Sequence, residues 1–589
     1  MDNNRNMILA IVLSALVLIG WSTVSERYFP VPKPVPAATK VADQATVPAA
    51  DANGVSTIPN STAPASKPTT RDVKAVLAEG NRIIIETPRV KGSINLKGGQ
   101  IDDLVLPTYT ETIAKGSPSV RLLSPAGAKD SYFAGYGWMG DGVSVPNADT
   151  LWTTDRETLT PATPVTLSWD NGAGQTYKIK IAVDDNYMFS VDQSITNGGA
   201  GAIGLRPYAY VNRVKGAHSG GSMLAPTQDV DSWTMHIGPI GAFSGAVNYE
   251  TDYDDVDAAG TNGTRFTTKG GWLGFGETYW LAAIVPPQNA SVDAGFRAGG
   301  GSYQAEFLMP QTVVAPGVSL VTSSRLFAGA KEVRTLDTYE DAGVPLFGKA
   351  IDWGWFEIIQ KPIFYLLDWL FKFAGNFGVA IIMMTFIVRG AMFPIAQRQF
   401  ASMAGMRVLQ PKLKVLQDRY KDDKPKLQQE MMELYKKEKI NPLGGCLPVL
   451  IQIPIFYALY KVLMLTIEMR HQPFVGWIQD LSAPDPANLM TAAHAVGLTW
   501  YPAFLGIGIL SALLGITMWL QFKLNPAAPD PVQQQVFSIM PWIMMFMMAP
   551  FAAGLQLYWV VSNILTIAQQ KWLYSKHPAL KEPLIPVKK

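Results

Sequence analysis

A single cysteine, Cys446, stands in 589 residues. It can close no intramolecular disulfide, and no multi-cysteine zinc or iron–sulfur site can be built around it. Charge is scarce as well. Asp, Glu, Lys and Arg make up 16% of the chain, against roughly 25% in a soluble globular protein. The 49 basic and 47 acidic residues nearly cancel, so the totals argue against a basic face for specific nucleic-acid recognition. Histidine is limited to His218, His236, His471, His494 and His577, which are scattered. No P-loop, Walker-type ATPase signature or nucleophile elbow occurs. The chain is therefore expected to use no cofactor, no metal and no catalytic residue set. What it has instead is apolar: 48% hydrophobic residues and a mean hydropathy of +0.11 point to a membrane protein.

The organisation changes along the chain. Residues 7–24 are an uncharged run, just long enough to span a hydrocarbon core of about 30 Å. With no convincing small-x-small cleavage site after it, residues 1–29 read as a signal-anchor helix, a cleaved signal peptide being the alternative. Residues 30–71 are rich in Pro, Ala and Thr with almost no bulky hydrophobes, which predicts a disordered tether. From residue 72 to about 345 the apolar period becomes two, most clearly at 177–183 and 187–191 around the turn Asp184-Asp185-Asn186. That pattern predicts an antiparallel hairpin. Further strands are predicted at 82–86, 93–96, 101–106, 279–285 and 304–308, and together they make a large β-sandwich.

Helical spacing returns at 350–375, where Glu357, Gln360, Lys361, Asp368 and Lys372 fall on one stripe among aromatics. This predicts an amphipathic helix lying in a membrane interface. Five apolar segments follow, at 377–396, 443–466, 501–522, 536–551 and 554–574, within a helical core spanning 376–575. Lys and Arg set their orientation. Residues 397–441 hold eleven and the tail from 571 holds five, whereas 467–500 holds only Arg470. The loop and both termini are thus placed in the cytoplasm, with the short basic tail 576–589, and the β-domain outside. The loop 398–440 reads as a basic helical hairpin, its seam made by Met403, Met406, Leu409, Leu413, Leu416 and Tyr420 facing Leu427, Met431 and Leu434.

Arg389 lies inside the first of the five segments, and none of the other four contains Asp or Glu. An uncompensated guanidinium at that depth calls for a water-filled cavity lined by neutral polar groups, the alternative being a structural arginine that snorkels to the cytoplasmic surface. Thr385, one turn earlier, shares its face. Gln452 sits between Pro448 and Pro454, and Gln556, Trp559, Asn563, Thr566 and Gln570 form one stripe of the last segment. Each of these residues is equally suited to interhelical hydrogen bonding. Methionine is concentrated late, with 16 of 23 after residue 376 and Met540, Met544, Met545, Met547 and Met548 in one segment. Such a surface suits many different apolar helices, and filler for a membrane core would look the same.

Several long motifs carry a family resemblance: TFIVRGAMFPIAQRQF (385–400), MRVLQPKLKVLQDRY (406–420), QQEMMELYKKEKINPLGGCLPVLIQIPIFYALY (428–460) and LYWVVSNILTIAQQ (557–570). They resemble the YidC membrane-protein insertase family over about 351–575. The resemblance implies an α-helical membrane protein of six transmembrane helices, five forming an insertase core, with a large periplasmic all-β supersandwich similar to sugar-mutarotase folds. It implies an inner-membrane insertase and chaperone whose partners are nascent membrane proteins, the Sec translocon, the ribosome and membrane lipids. In that family the arginine matching Arg389 sits in a hydrophilic groove lined by Thr385, and the last segment opens on paired aromatics, here Tyr558-Trp559 rather than Tyr-Tyr. Segments 443–466 and 536–551, with Phe456, Met540, Met544, Met545 and Met548, resemble its greasy slide for an entering helix. Two rival readings are a solute transporter, for which no internal repeat is visible, and a membrane-tethered sugar-binding or mutarotase-like protein using the β-domain.

Overall fold

The computed structural model describes residues 71–215, 235–420, 423–438, 447–488, 491, 506–524 and 531–576, which divide into two compact units, residues 1–352 and 353–589. The signal-anchor and tether segments, His218, Cys446, His494 and His577 lie outside the described residues.

The first unit is built from an 11-stranded and a 9-stranded sheet, almost entirely antiparallel. The hairpin legible in the sequence forms as Gln175–Val183 paired with Met188–Asn197, in register from Phe189↔Val183 to Asn197↔Gln175. Its turn closes because Asp184 Oδ1 accepts from the backbone N–H groups of Asn186 and Met188, the local capping that makes Asx residues turn formers. Along Gln175–Val183 every second residue is buried, as a half-buried strand requires. Strands Arg82–Glu86, Lys91–Asn95, Gln100–Thr110, Trp280–Val285 and Ser302–Leu308 occupy the other predicted positions.

The two sheets meet through aromatic side chains. Trp138 of the larger sheet lies 5.1 Å from Tyr177 of the smaller, and Phe266 of the larger stacks at 4.1 Å on Phe243 of the smaller. Such rings bury 150–250 Å² each and dominate a core. Helix α1, Val333–Asp341, is fastened to this sandwich by the residue before it. Glu332 accepts hydrogen bonds from Tyr109 (2.7 Å), Tyr187 (2.9 Å) and Thr335 (2.7 Å) and pairs with Arg89. Burial pushes the Glu332 carboxyl up, but its hydrogen bonds from Thr335, Tyr109 and Arg89 outweigh that and hold it below the usual range.

Asp102 is the reverse case. It is buried beside Arg82, yet burial outweighs that attraction and pushes its carboxyl up to about 6. The folded state therefore holds this proton more tightly than the unfolded state. The resulting stabilisation is full below pH 3.8 and is lost as pH rises through about 6, on the order of 3 kcal/mol. Chemical denaturation followed by tryptophan fluorescence should show a midpoint falling between pH 4 and 7, and Asp102→Asn should flatten that slope.

The second unit is helical: α2 Glu357–Ala374, α3 Phe377–Ala391, α4 Phe393–Arg419, α5 Lys424–Lys437, α6 Leu447–Leu465, α7 Ile509–Leu524, α8 Pro531–Met548 and α9 Ala553–Lys576. Among the described residues no helix is long and apolar enough to cross a membrane. The expected segment 377–396 is cut short because Pro394 enters the second position of α4, where its ring would clash with a continuing helix. That leaves α3 with 15 residues, about 22 Å at helical rise. Helix α9 has 24 residues but carries Gln556, Asn563, Thr566 and Gln570.

Along 350–375 the polar stripe is divided: Gln360 and Asp368 are buried, Glu357 and Lys361 half-buried and Lys372 exposed, while Trp355, Ile358, Trp369 and Phe373 are 60–84% exposed. Among the described residues the Gln360 carboxamide has no hydrogen-bond partner. The period showed a stripe, but which side faces neighbouring helices depends on α3 and α6, against which α2 packs. In the hairpin α4–α5, the seam forms from Leu409, Leu413 and Tyr435, with Met431 and Leu434 against it and Lys412 paired with Glu438 at 2.7 Å. The side chains of Met403 and Met406 lie outside the described residues.

Candidate functional site: a polar cluster around Arg389

Three helices bring polar groups together near the C-terminal end of α3. Arg389 Nε donates to Ser562 Oγ of α9 at 3.1 Å, and a second guanidinium N–H reaches the same oxygen. One turn earlier on α9, the Tyr558 hydroxyl accepts from Gln452 Nε2 of α6 at 2.7 Å. The Trp559 ring lies 4.6 Å from Phe456 of α6. Among the described residues Arg389 has no ion pair, so its charge is met only by a neutral hydroxyl. Arg389, Gln452, Phe456 and Trp559 are half-buried, whereas Tyr558 and Ser562 are each only 2% exposed. The accessible edge of the cluster is thus cationic and amide-bearing, backed by a dry aromatic wall.

Other residues expected at this cluster are engaged elsewhere. Thr385 is fully buried and its hydroxyl donates to the Ile381 carbonyl of its own helix at 2.7 Å. Asn563 donates to Thr517 Oγ1 of α7 at 3.1 Å, which is an interhelical bond. Thr566 donates to the Ser562 carbonyl and Gln570 to Tyr574 Oη within α9. Gln556, fully buried, accepts from Ser511 Oγ at 2.8 Å and donates to the carbonyls of Met548 and Phe551 at 3.0 and 2.8 Å. It therefore clamps the α8–α9 turn to α7. The 3.6 period placed these residues on one stripe of α9, but the stripe is wide enough to face two different helices.

Met540, Met544 and Met545 are half-buried and Met548 is buried. Helices α7 and α8 approach so closely at Gly515 that an added Cβ would lie 3.1 Å from Met545 Cβ. The most exposed large apolar residues of α8 include Phe537, Ile539, Trp542, Ile543, Phe546 and Met547. Ser562 is the residue that sequence reasoning missed, although its spacing of four from Tyr558 and from Thr566 placed it on one face.

Comparison with known proteins agrees with the family these motifs suggested. Residues 369–580 match the family described as 60Kd inner membrane protein, and residues 82–366 match the YidC periplasmic domain. A membrane protein insertase YidC of Zymomonas mobilis is 46% identical over 583 residues, covering 98% of this chain and 96% of the relative. The chain belongs to the YidC membrane protein insertase family. A second YidC, from Methylobacterium radiotolerans, is 44% identical over 97% of this chain and 94% of its own. A crystal structure of an active YidC insertase with its first transmembrane domain resolved shares 17% identity, with a TM-score of 0.35 over 84% of this chain and 95% of that one. Within this family the all-β first unit is the part matching the periplasmic domain, and the cluster at Arg389 falls in the part matching the inner membrane protein.

Proposed function

We propose that the helical unit inserts nascent membrane proteins by accepting a polar substrate segment at the Arg389 cluster and releasing the adjoining apolar helix to lipid along α6 and α8. The observation that carries this reading is a half-buried guanidinium that meets no carboxylate among the described residues and rests on Ser562 alone. A charge so placed lowers the cost of bringing an acidic or polar segment partway into the bilayer. Partition of the apolar part, at about 25 cal/mol per Å² buried, then drives release. The outward residues of α8, Phe537, Ile539, Trp542, Ile543, Phe546 and Met547, form the surface along which that helix leaves.

In this reading the chain crosses the inner membrane six times, with an anchor at 1–29, a tether at 30–71, the β-domain at 72–345 in the periplasm, the interfacial helix at 350–375, the core at 376–575 and the tail at 576–589. The N- and C-termini are cytoplasmic. The basic hairpin 398–440 would meet the ribosome or the Sec translocon, both of which suit its charge. A cysteine at exposed Lys426 should be labelled from the cytoplasmic side only, and one at exposed Gln479 from the periplasmic side only. Labelling of both from one side would overturn the orientation.

The β-domain takes no catalytic part in this reading. His236 is buried, with Nε2 2.8 Å from the Pro239 carbonyl, which leaves that nitrogen badly placed for acid–base exchange with a sugar. Replacing His218 and His236 together by alanine should leave insertion rates unchanged, and the full chain should show no epimerase turnover in a coupled sugar assay.

A further inference from the structure

A charged head near the end of an apolar helix can escape the bilayer, because arginine's long stem lets the guanidinium reach the nearest water while the helix stays in place. Arg389 has that opportunity: it stands in the last turn of α3, which ends at Ala391. The structure ties the side chain to a buried residue instead. Arg389 Nε donates to Ser562 Oγ at 3.1 Å, and a second guanidinium N–H reaches the same oxygen, so one hydroxyl occupies a whole edge of the fork. Ser562 lies in the first half of α9, Ala553–Lys576, about 21 Å at helical rise from that helix's end.

Ser562 is itself held. Its oxygen receives two guanidinium N–H groups, so its own proton is directed elsewhere, to the Tyr558 hydroxyl one turn earlier on α9. Tyr558 also accepts from Gln452 Nε2 of α6 at 2.7 Å. One chain of hydrogen bonds thus joins α3, α9 and α6, and its two central members, Ser562 and Tyr558, are each only 2% exposed. Where water is excluded such bonds are stronger than in solvent, and a connected set of them favours a single geometry. A hydroxyl also does what a carboxylate cannot. It takes the N–H groups of the cation but leaves the charge uncancelled, so an approaching acidic segment meets the field of a full positive charge.

We infer that Ser562 is the positioning residue of the insertion site: it fixes the depth of the Arg389 charge, and through that depth it sets the preference for acidic over neutral translocated segments. Ser562 is closed off from substrate and acts through Arg389. Without it the guanidinium would swing to the nearer end of α3, where water weakens its field. An acidic segment would then have to reach the same depth with no cation waiting there. The tether rests on hydrogen bonds in the structure, whereas its effect on substrate preference rests on the insertase reading of the Arg389 cluster.

Two measurements test this. In the full chain in lipid nanodiscs, isotope-labelled at arginine and with Arg389 assigned from the signal lost in Arg389→Lys, the Arg389 Nε–H should exchange with water at least about tenfold more slowly than that of Arg419, which is exposed. Ser562→Ala should bring it to the Arg419 rate. Equal rates in the parent would overturn the tether. In reconstituted insertion of one substrate carrying acidic or neutral tails, Ser562→Ala should lower the acidic-to-neutral ratio by about three- to tenfold, as loss of one hydrogen bond to a charged group implies. In the Arg389→Ala background Ser562→Ala should change the ratio no further, because the two residues act as one unit. The ratio does not depend on how much chain folds, so a serine with a merely structural role would leave it at the parent value. A parent-like ratio in Ser562→Ala, or an additional loss in the double variant, would overturn the inference. If Arg389→Ala itself leaves the ratio unchanged, the insertase reading of the cluster fails instead, and the exchange rates still decide the tether.

Discussion

Arg389→Ala should lower insertion of substrates with acidic translocated tails by about ten- to a hundredfold, since hydrogen bonds to a charged group contribute roughly 1.5–3 kcal/mol. Neutral-tailed substrates should lose far less. The chain itself should remain as stable as the parent, because the guanidinium is anchored only on the Ser562 hydroxyl and its removal strands no buried carboxylate. Arg389→Lys should retain most activity: with no bidentate carboxylate to satisfy, charge matters more than fork geometry. Reconstituted insertion assays with tail-charge variants of one substrate, run at matched protein level, separate these outcomes. Equal insertion of acidic-tailed substrate by the parent and by Arg389→Ala would remove the charge from the mechanism.

Gln556→Ala should behave in the opposite way. This side chain joins Ser511 of α7 to the Met548 and Phe551 carbonyls at the α8–α9 turn, and its loss leaves a buried hydroxyl and carbonyls unmatched, a cost of about 3 kcal/mol. The melting midpoint in detergent and the steady-state level should fall, and insertion should fall in proportion for acidic and neutral tails alike. Gln556→Glu keeps the shape but presents acceptors to those carbonyls, so it should rescue little. A Gln556→Ala chain with an unchanged midpoint and a defect confined to acidic tails would return Gln556 to the groove.

These two variants mark how far the sequence could be read. Period and turn chemistry are local, so the 175–197 hairpin and the Arg82–Glu86 strand were legible. Sheet order was not, because the pairing of Met188–Asn197 with Ser319–Ala330 joins strands more than a hundred residues apart. Arg389 stood out because a charge within an apolar run is rare. Its partner did not, since a lone serine in a helix has many bland explanations. The α9 stripe could not divide its polar residues between helices. Gln452 and Tyr558 meet each other near Arg389, while Asn563 and Gln556 turn to α7. The stripe at 357–372 was likewise real, but Gln360 and Asp368 point inward, a choice set by neighbours that no window of sequence contains.

The central claim is that substrate enters beside Arg389. It is tested most directly by placing a photo-crosslinking residue at Gln452, which faces Tyr558 across the cluster, and presenting ribosome-bound nascent chains of a membrane protein with an acidic translocated tail. Adducts are expected between position 452 and that tail, weakened when Arg389 is alanine, and none from a probe at exposed Trp355 of the connection preceding α2. Adducts equally strong with and without Arg389, or none at position 452 while the same chains insert normally, would contradict it.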